Sequence, residues 1–583
     1  GGEGGEGPVP KEMKRRFRNV TFPRSMKPFG RYPKPSGRVL AYGTAGFRAR
    51  ADILDSTFFR MGMLAVLRSR SRDGLAVGLM VTASHNPEPD NGIKLVDPDG
   101  GMLAQSWEAD ATKLANAEDD AVESALSEVA AAQAVGATSG GLVLIGRDTR
   151  PHSERLARLA LEGVELAGGT AVDCGLLTTP QLHHIVRHRN GPAAAGPHVG
   201  PQEWASEEGY FAMLTEAYAQ LVPAGLASSA RRTPLWIDAA CGVGAPKVAA
   251  LREVLRPLGL TFQIANDVGD GELNGGCGAE HVQKARLPAR GFEAPLEGFD
   301  RACSLDGDAD RIVYHYWTDG AVKDGAPEWR LLDGDKICAL FAAFVIEALE
   351  AAKPNPPLSL AAVQTAYANG ASTRFIRSLG VDVPLAKTGV KFLHHLAVEY
   401  ELALYFEANG HGTVLFSDAA VARLKEAQAE AETASDVPRA QAAGRLLAVK
   451  QLINQAVGDA ISDMLLVEAV LALRGWSVSE WDALYCDLPS RQSKLPVADR
   501  AVITTTPDET QVTAPAALQP ALNDLMAKFT HGRCFVRPSG TEDVVRVYAE
   551  ASTQVALTLL PHRTAPRHPP ALPPLPPCSS ASP

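Results

Sequence analysis

The chain has 583 residues, too many for one hydrophobic core, and length alone predicts about three to four domains; 45% hydrophobic and 21% charged residues are ordinary for a globular protein. A formal net charge of -10 argues against a general nucleic-acid binder and admits an anionic ligand only where basic groups are gathered locally. No run of about 18 apolar residues is present, which argues against a membrane-spanning helix, and eight scattered cysteines without CxxC or zinc spacing predict reduced thiols in a cytoplasmic protein.

Gly1 opens the chain without a methionine, so the natural N-terminus is expected upstream, with a transit peptide left open. Residues 1–37 are rich in Gly, Pro and basic side chains and predict a flexible leader. The cluster Lys11, Lys14, Arg15, Arg16 and Arg18 reads as a solvated tail, with a targeting element as the alternative. Val39 to Tyr42 predicts a short strand, followed by a Gly-bearing turn ending at Arg48 that lets backbone approach a ligand. From Ser56 to Arg70 the spacing predicts an amphipathic helix, with Phe58, Met61, Leu64 and Leu67 on one face and Ser56 as N-cap. The apolar run Leu75 to Val81 predicts a buried strand. It ends in the small-residue loop Thr82 to Pro87, which sets the hydroxyl of Ser84 beside His85, with Lys94 ten residues on. A further strand at Leu142 to Ile145, a Gly146–Arg150 loop and a helix at about 153–166 complete a βαβ-type α/β pattern.

From about Gly191 the chain reads as loop, then as a helix over Glu207–Leu221 and a strand over Leu235–Asp238. Gly242 and Gly244 follow that strand, but the third glycine of a dinucleotide fingerprint is absent, so this reads as the tight turn of a second α/β domain. The Gly/Asn-rich stretch 266–278 predicts a loop. Asp306, Asp308 and Asp310 then stand at alternate positions in a tight turn before a strand at Ile312–Trp317, an oxygen-rich arrangement suited to a hard divalent cation. An EF-hand is excluded, because Arg311 occupies the position of its glycine and Trp317 that of its last acid. Next come a helix near 333–352, a strand at Ala361–Thr365 and a Gly turn carrying Lys387 and Lys391, two cations able to meet a phosphate. The strand Leu402–Phe406 delivers Glu407 and Asn409 into a Gly-rich turn able to hydrogen-bond sugar hydroxyls. Residues 416–470 are helical, and a helix is expected at about 516–529. Between two last strands, Arg537, Ser539, Thr541, Arg546 and the backbone around Gly540 form an anion nest. After about Leu559 the chain is Pro/Ser-rich, the pattern of a disordered tail.

Taken together, TASHNPEPDNGIKLVDP, DGDADR, KTGVKFLHH, FEANGHGT and FVRPSGTEDVVRVYAEA resemble the α-D-phosphohexomutase family over about residues 38–555, with FEANGHGT and RPSGTEDVVR pointing to its acetylglucosamine branch. The resemblance implies an α/β architecture of four domains around a central cleft: three α/β domains over 38–195, 196–300 and 301–465 and a smaller α+β phosphate-binding domain over 466–558, moving as a lid. It implies that Ser84 carries a phosphoryl group and that Asp306, Asp308 and Asp310 hold one Mg2+ with a phosphoserine oxygen. Arg48, His85 and Lys94 line that group; either His85 or Lys94 moves the proton. Glu407, Asn409, Lys387 and Arg311 bind substrate, and Arg537, Ser539, Gly540, Thr541 and Arg546 clamp the non-reacting phosphate. The implied reaction interconverts N-acetylglucosamine 6-phosphate and 1-phosphate, for UDP-N-acetylglucosamine synthesis, through a 1,6-bisphosphate that also primes the enzyme. A monomeric cytoplasmic enzyme acting on a sugar phosphate, with no nucleic-acid, membrane or obligate protein partner, is expected. The basic leader has no family counterpart, and the Pro-rich end over 553–583 replaces a family helix. The alternatives are a phosphoglucomutase or phosphomannomutase and a non-catalytic sugar-phosphate-binding protein. A kinase is disfavoured by the lack of a Walker sequence or kinase catalytic loop.

Overall fold

The computed structural model describes residues 32–43, 46–136, 140–223, 233–296, 298–319, 327–539 and 543–553. The Pro-rich tail, most of the basic leader, Gly540 and Thr541 lie outside the described residues. The chain forms two compact units. The larger runs as far as Tyr485, apart from Thr365–Arg374 and Leu385–Thr388, which belong with the residues from Cys486 onward.

In the larger unit the first sheet contains β1 (Phe47–Arg50), β2 (Val77–Val81), β3 (Asp90–Val96), β4 (Leu142–Arg147) and β5 (Thr170–Leu176), in the order β1-β3-β2-β4-β5. β2 pairs parallel with β4 and is buried at every residue, as its continuous apolar run requires. β3 is antiparallel to both β1 and β2. Its Asp-Asn-Gly start hides it from a reading of local pattern, yet it is the strand that carries Lys94. Helices Asp55–Arg70 and Ser153–Leu166 pack together at two glycines. A Cβ at Gly62 would stand 2.1 Å from the Ala160 carbonyl oxygen, and one at Gly163 only 1.9 Å from that of Phe59.

Two expectations fail here. Residues 39–42 form no strand: Leu40 N–H donates to Asn116 Oδ1 (2.9 Å) and Tyr42 N–H to Thr112 Oγ1 (3.0 Å), so side chains of helix Glu108–Asn116 take the donors a ladder would use. Ser56 is no N-cap. The helix starts at Asp55 without a side-chain cap bond, and residues Ser56 to Ser69 are all buried. One apolar face becomes an enclosed helix because neighbouring helices and β2 cover it, and the inward Arg60 and Arg68 are satisfied by the Ala115 and Ala117 carbonyls and by Asp119 and Asp97.

The second sheet contains β6 (Leu235–Asp238), β7 (Phe262–Ala265), β8 (Ala302–Leu305), β9 (Ile312–Trp317) and β10 (Trp329–Leu332), ordered β10-β9-β8-β6-β7. The expected domain boundary at residue 300 falls inside it, because β8 hydrogen-bonds β6 in parallel register. The boundary expected at 465 falls inside helix Ala460–Arg474. Strand Leu360–Thr365 runs parallel to Leu402–Phe406, which pairs antiparallel with Gly412–Phe416. One hydrophobic core, from Tyr210 to Trp481, runs beneath both groups of strands.

The smaller unit has a three-stranded antiparallel sheet, Ser490–Pro496, Val544–Glu550 and Arg533–Pro538, and the helix Leu518–Met526. Val512, Leu522, Leu525, Val536 and Val547 form its core. All seven described cysteines are free thiols, and no helix among the described residues is long and apolar enough to cross a membrane.

Candidate active site

β2 and β4 are parallel, so the loops that follow them leave from the same sheet edge, where ligands of α/β sheets bind. Ser84 lies in the loop after β2, fully buried, with φ +53°, a left-handed conformation that costs a non-glycine residue about 1 kcal/mol or more. Its surroundings impose that conformation. Ser84 N–H donates to Thr82 Oγ1 at 2.9 Å, and Thr82 Oγ1 donates to Asp148 Oδ2 at 2.7 Å. Asp148 pairs with Arg150, both fully buried, at 3.0 Å. The Arg150 guanidinium donates to the carbonyls of Ser84 (2.9 Å), Asn86 (2.7 Å), Pro87 (2.6 Å) and Asp90 (2.9 Å), and Asn274 Nδ2 donates to Ser84 O at 3.0 Å. Arg150→Ala would strand the Asp148 charge and release this loop. The expected cost is about 3 kcal/mol of stability, read from the urea-unfolding midpoint.

Asp306–Arg311 joins β8 to β9. Asp306 Oδ2 accepts from Ser84 Oγ at 2.9 Å, while its Oδ1 accepts the N–H groups of Asp310 (3.0 Å) and Arg311 (3.2 Å). Asp308 Oδ2 accepts from Lys94 Nζ (2.8 Å) and Thr179 Oγ1 (2.6 Å), and Asp310 Oδ2 from Lys94 at 3.2 Å. Candidate ligand oxygens of the three carboxylates lie within 4.8 Å of one another. Asp308 Oδ1 and Asp310 Oδ1 are buried and accept no hydrogen bond from any described residue. For Asp310 Oδ1 the nearby cationic groups, His411 Nδ1 at 3.5 Å and Arg311 Nε at 3.7 Å, stand at ion-pair distance. Buried carboxylate oxygens left without partners are costly, and an all-oxygen donor set of this kind fits Mg2+.

The electrostatics are strongly coupled. Burial, together with Asp310 and Asp308, holds the Asp306 carboxyl well above the usual range. Burial opposes the charge on Asp310, but Lys94, His411 and Arg311 outweigh it and hold Asp310 well below that range. Burial also opposes the Lys94 cation, and Asp308 and Asp310 outweigh it, so its pKa rises. Burial, Arg311 and Arg48 push the His85 imidazole down, leaving it neutral 3.5 Å from Ser84 Oγ. Arg48 lies on β1 opposite Gly92, its Nε buried without a hydrogen-bond partner among the described residues.

Glu407 and Asn409 occupy the tip of the hairpin between Leu402–Phe406 and Gly412–Phe416. Asn409 Nδ2 donates to Glu407 Oε2 at 3.3 Å. The tip rests on the first residue of β9: Ile312 N–H donates to Gly410 O at 3.2 Å. Gly410 has φ +85°, and a Cβ there would fall 1.8 Å from the Ile312 carbonyl oxygen, so the close approach requires glycine. Glu407 and Asn409 are thereby fixed beside the aspartate loop. Arg311 is engaged by Glu280, Nη1 to Oε2 at 3.0 Å, and Glu280 Oε1 also lies 3.8 Å from His85 Nε2.

The larger unit thus gathers Ser84, His85, Arg48, Lys94, the three aspartates, Arg311, Glu407 and Asn409. Lys387, Arg537, Ser539 and Arg546 belong to the smaller unit. There Arg546 stands opposite both Arg537 and Lys494 in the register, so three cations form one row across the sheet. Arg537 Nε donates to Tyr367 Oη at 3.1 Å, with the guanidinium 5.3 Å from the Tyr367 ring centroid. Glu509 Oε1 lies 3.6 Å from Arg537 Nη1, and its Oε2 accepts Thr388 N–H at 3.1 Å, which ties the segment carrying the exposed Lys387 to this row. Arg150, Asn274, Thr179, Glu280, Glu509 and Lys494 escaped the sequence reading. For Arg150 a signal was present in the Gly146–Arg150 loop after a strand; the others carry no local pattern.

Three family models match the chain: "Phosphoglucomutase/phosphomannomutase, alpha/beta/alpha domain I" over residues 63–122 and 108–199, "Phosphoacetylglucosamine mutase AMG1, domain III" over 333–476, and the phosphoglucomutase/phosphomannomutase C-terminal domain over 503–566. The chain is 49% identical over 524 residues to phosphoacetylglucosamine mutase of Sus scrofa, covering 90% of this chain and 92% of the relative. It is 48% identical over 535 residues to that of Homo sapiens, covering 92% and 94%. A crystal structure of Aspergillus fumigatus N-acetylphosphoglucosamine mutase in complex with GlcNAc-6P and magnesium superposes with a TM-score of 0.83 at 41% identity, covering 92% of this chain and 96% of that one.

Proposed function

This chain belongs to the phosphoacetylglucosamine mutase family, and from that premise we propose how its own residues interconvert N-acetylglucosamine 6-phosphate and N-acetylglucosamine 1-phosphate. The observation that carries the assignment is the hydrogen bond from Ser84 Oγ to Asp306, made at the edge of a buried carboxylate triad in which Asp308 Oδ1 and Asp310 Oδ1 accept no hydrogen bond from any described residue. Asp306, Asp308 and Asp310 hold Mg2+, which when bound neutralises charge on the phosphoryl group carried by Ser84.

The working enzyme is phosphorylated on Ser84. The free hydroxyl of the sugar phosphate attacks that phosphorus; its O–P bond forms as the Ser84 Oγ–P bond breaks, giving the 1,6-bisphosphate. The hydroxyl proton goes to His85, whose ring nitrogen lies 3.5 Å from Ser84 Oγ and which returns it to the leaving oxygen. Burial, Arg311 and Arg48 oppose the imidazolium, and the negative charge of the phosphoryl group beside it offsets that opposition. Lys94 stays cationic between Asp308 and Asp310, and with Arg48 it supplies positive charge beside the transferring group. In the second half the bisphosphate presents its other phosphate, Ser84 Oγ takes that group back, and the sugar leaves with its phosphate moved. Glu407 and Asn409 hold the sugar hydroxyls, and Arg311 faces the substrate from the aspartate loop.

Arg537, Ser539 and Arg546, with Gly540, Thr541 and Lys387, clamp the non-reacting phosphate. A row of Lys494, Arg546 and Arg537 is self-repulsive, and a bound dianion removes that repulsion. Arg537→Ala is expected to lower kcat/KM about 10- to 100-fold, mostly through KM, in a coupled assay. The reaction itself is tested by comparing kcat/KM on N-acetylglucosamine 6-phosphate with glucose and mannose 6-phosphates. A preference of about 10²-fold or more for the acetylated sugar is expected, and preference for the others would overturn the assignment.

A further inference from the structure

A second cavity, of about 280 Å³, lies in the larger unit away from the serine and aspartate loops. Helix Thr179–Asn190 connects the two places. Its first residue touches Asp308, whereas Arg187 and His188 line the cavity, about 12 Å further along the helix axis. His198, Trp204, Lys425 and Lys450 complete the polar part of the wall.

The wall carries three cations, Arg187, Lys425 and Lys450. Arg187 donates to the Asp99 (2.8 Å) and Ala195 (3.2 Å) carbonyls. Lys450 Nζ donates to the His198 carbonyl, and Lys425 Nζ stands 3.4 Å from His198 Nδ1. The carbonyl partners are neutral, and none of the three cations forms an ion pair among the described residues; Asp99 and Asp418 act on Arg187, and Asp418 on Lys450, from beyond ion-pair distance. Burial together with Arg187 and Lys425 pushes the Lys450 ammonium down to about 8, with Asp418 opposing. On the helix that carries Arg187, burial also holds His184 and His188 neutral. His184 Nε2 is spent on the Trp204 carbonyl at 2.8 Å and His188 Nδ1 on the His184 carbonyl at 2.9 Å. This ties the Trp204 segment to that helix as one boundary of the cavity.

Three cations that line one cavity and form no ion pair among the described residues, in a volume near the lower size limit of small-molecule sites, recruit a compact dianion. We propose that this cavity is a second anion site, distinct from the catalytic one, that takes a small phosphate monoester through Arg187, Lys425 and Lys450. The phosphate meets the two ammonium groups and the guanidinium, and the remainder of the ligand lies against Trp204. The inference stands apart from the assignment of the reaction, since none of these residues belongs to the serine loop, the aspartate loop or the clamp.

The test is equilibrium dialysis of the full chain against radiolabelled inorganic phosphate, comparing wild type with K425Q/K450Q. The double variant is expected to lose one bound equivalent, or to weaken it about tenfold or more, while mutase kcat stays within about twofold. Wild-type stoichiometry and affinity in that variant would overturn the proposal. If the double variant fails to fold, K425Q alone serves, because Lys425 is exposed; an unchanged dissociation constant for the weakened equivalent again overturns it. Addition of N-acetylglucosamine 6-phosphate or glycerol 3-phosphate as competitor tells whether the site prefers the enzyme's own substrate or another monoester.

Discussion

Ser84→Ala is expected to reduce turnover by at least about 10⁴-fold, equivalent to about 5.5 kcal/mol of transition-state stabilisation, while the protein stays folded. The proposed reaction passes the phosphoryl group through a single oxygen, and no neighbouring side chain can replace it: Thr82 Oγ1 is committed to Asp148 and the Ser84 backbone N–H. The substitution removes one hydrogen bond to Asp306 and leaves the φ +53° conformation in place, because Arg150 and Asn274 hold the carbonyls of the loop. A stability loss of about 1–2 kcal/mol is therefore expected, far too small to explain the loss of activity. Intact-mass measurement separates the two effects: wild-type protein incubated with bisphosphate gains one phosphoryl group at Ser84, and the variant gains none. Turnover by the variant at the wild-type rate would end the phosphoserine reading.

Asp308→Asn is expected to cost about 10³-fold in kcat and to abolish stabilisation by Mg2+. Asparagine preserves the shape, and its oxygen can still accept from Lys94 and Thr179 as Asp308 Oδ2 does. What it removes is the charge at the unpartnered Oδ1, the feature that suits a hard cation. Any ligand that binds only the folded state stabilises it by mass action, by about 2.7 kcal/mol at a hundredfold excess over Kd. The melting temperature of the wild-type protein should thus rise with Mg2+ and fall on chelation, whereas that of the variant should respond to neither. An undiminished Mg2+ response in the variant would remove Asp308 from the ligand set.

The chemistry of this molecule is legible where it is carried by short contiguous stretches. Ser84 with His85, the alternating aspartates 306, 308 and 310, and Glu407 with Asn409 each reveal their type in a few residues, because a strand end or tight turn must spell out its own side chains. Strand β9, starting at Ile312, and helix Ser153–Leu166 were readable for the same reason, as their apolar periodicity is local. Ser56 was misread because capping depends on where the preceding chain enters the helix, and the boundary at residue 300 because strand pairing between β6 and β8 is not local.

Side chains close together along the chain were enough to reveal the family and the carboxylate triad, and to nominate Ser84 as the phosphoryl carrier. Only the tertiary structure decided how they work together. The Ser84 hydroxyl meets Asp306 across 222 positions, and Arg150 clamps the Ser84 carbonyl across 66. Lys94 reaches Asp308 across 214. Burial and mutual charge then set Asp306, Asp310, Lys94 and His85 to different protonation preferences. These are properties of distance and desolvation, which arise only once remote segments share one low-dielectric site.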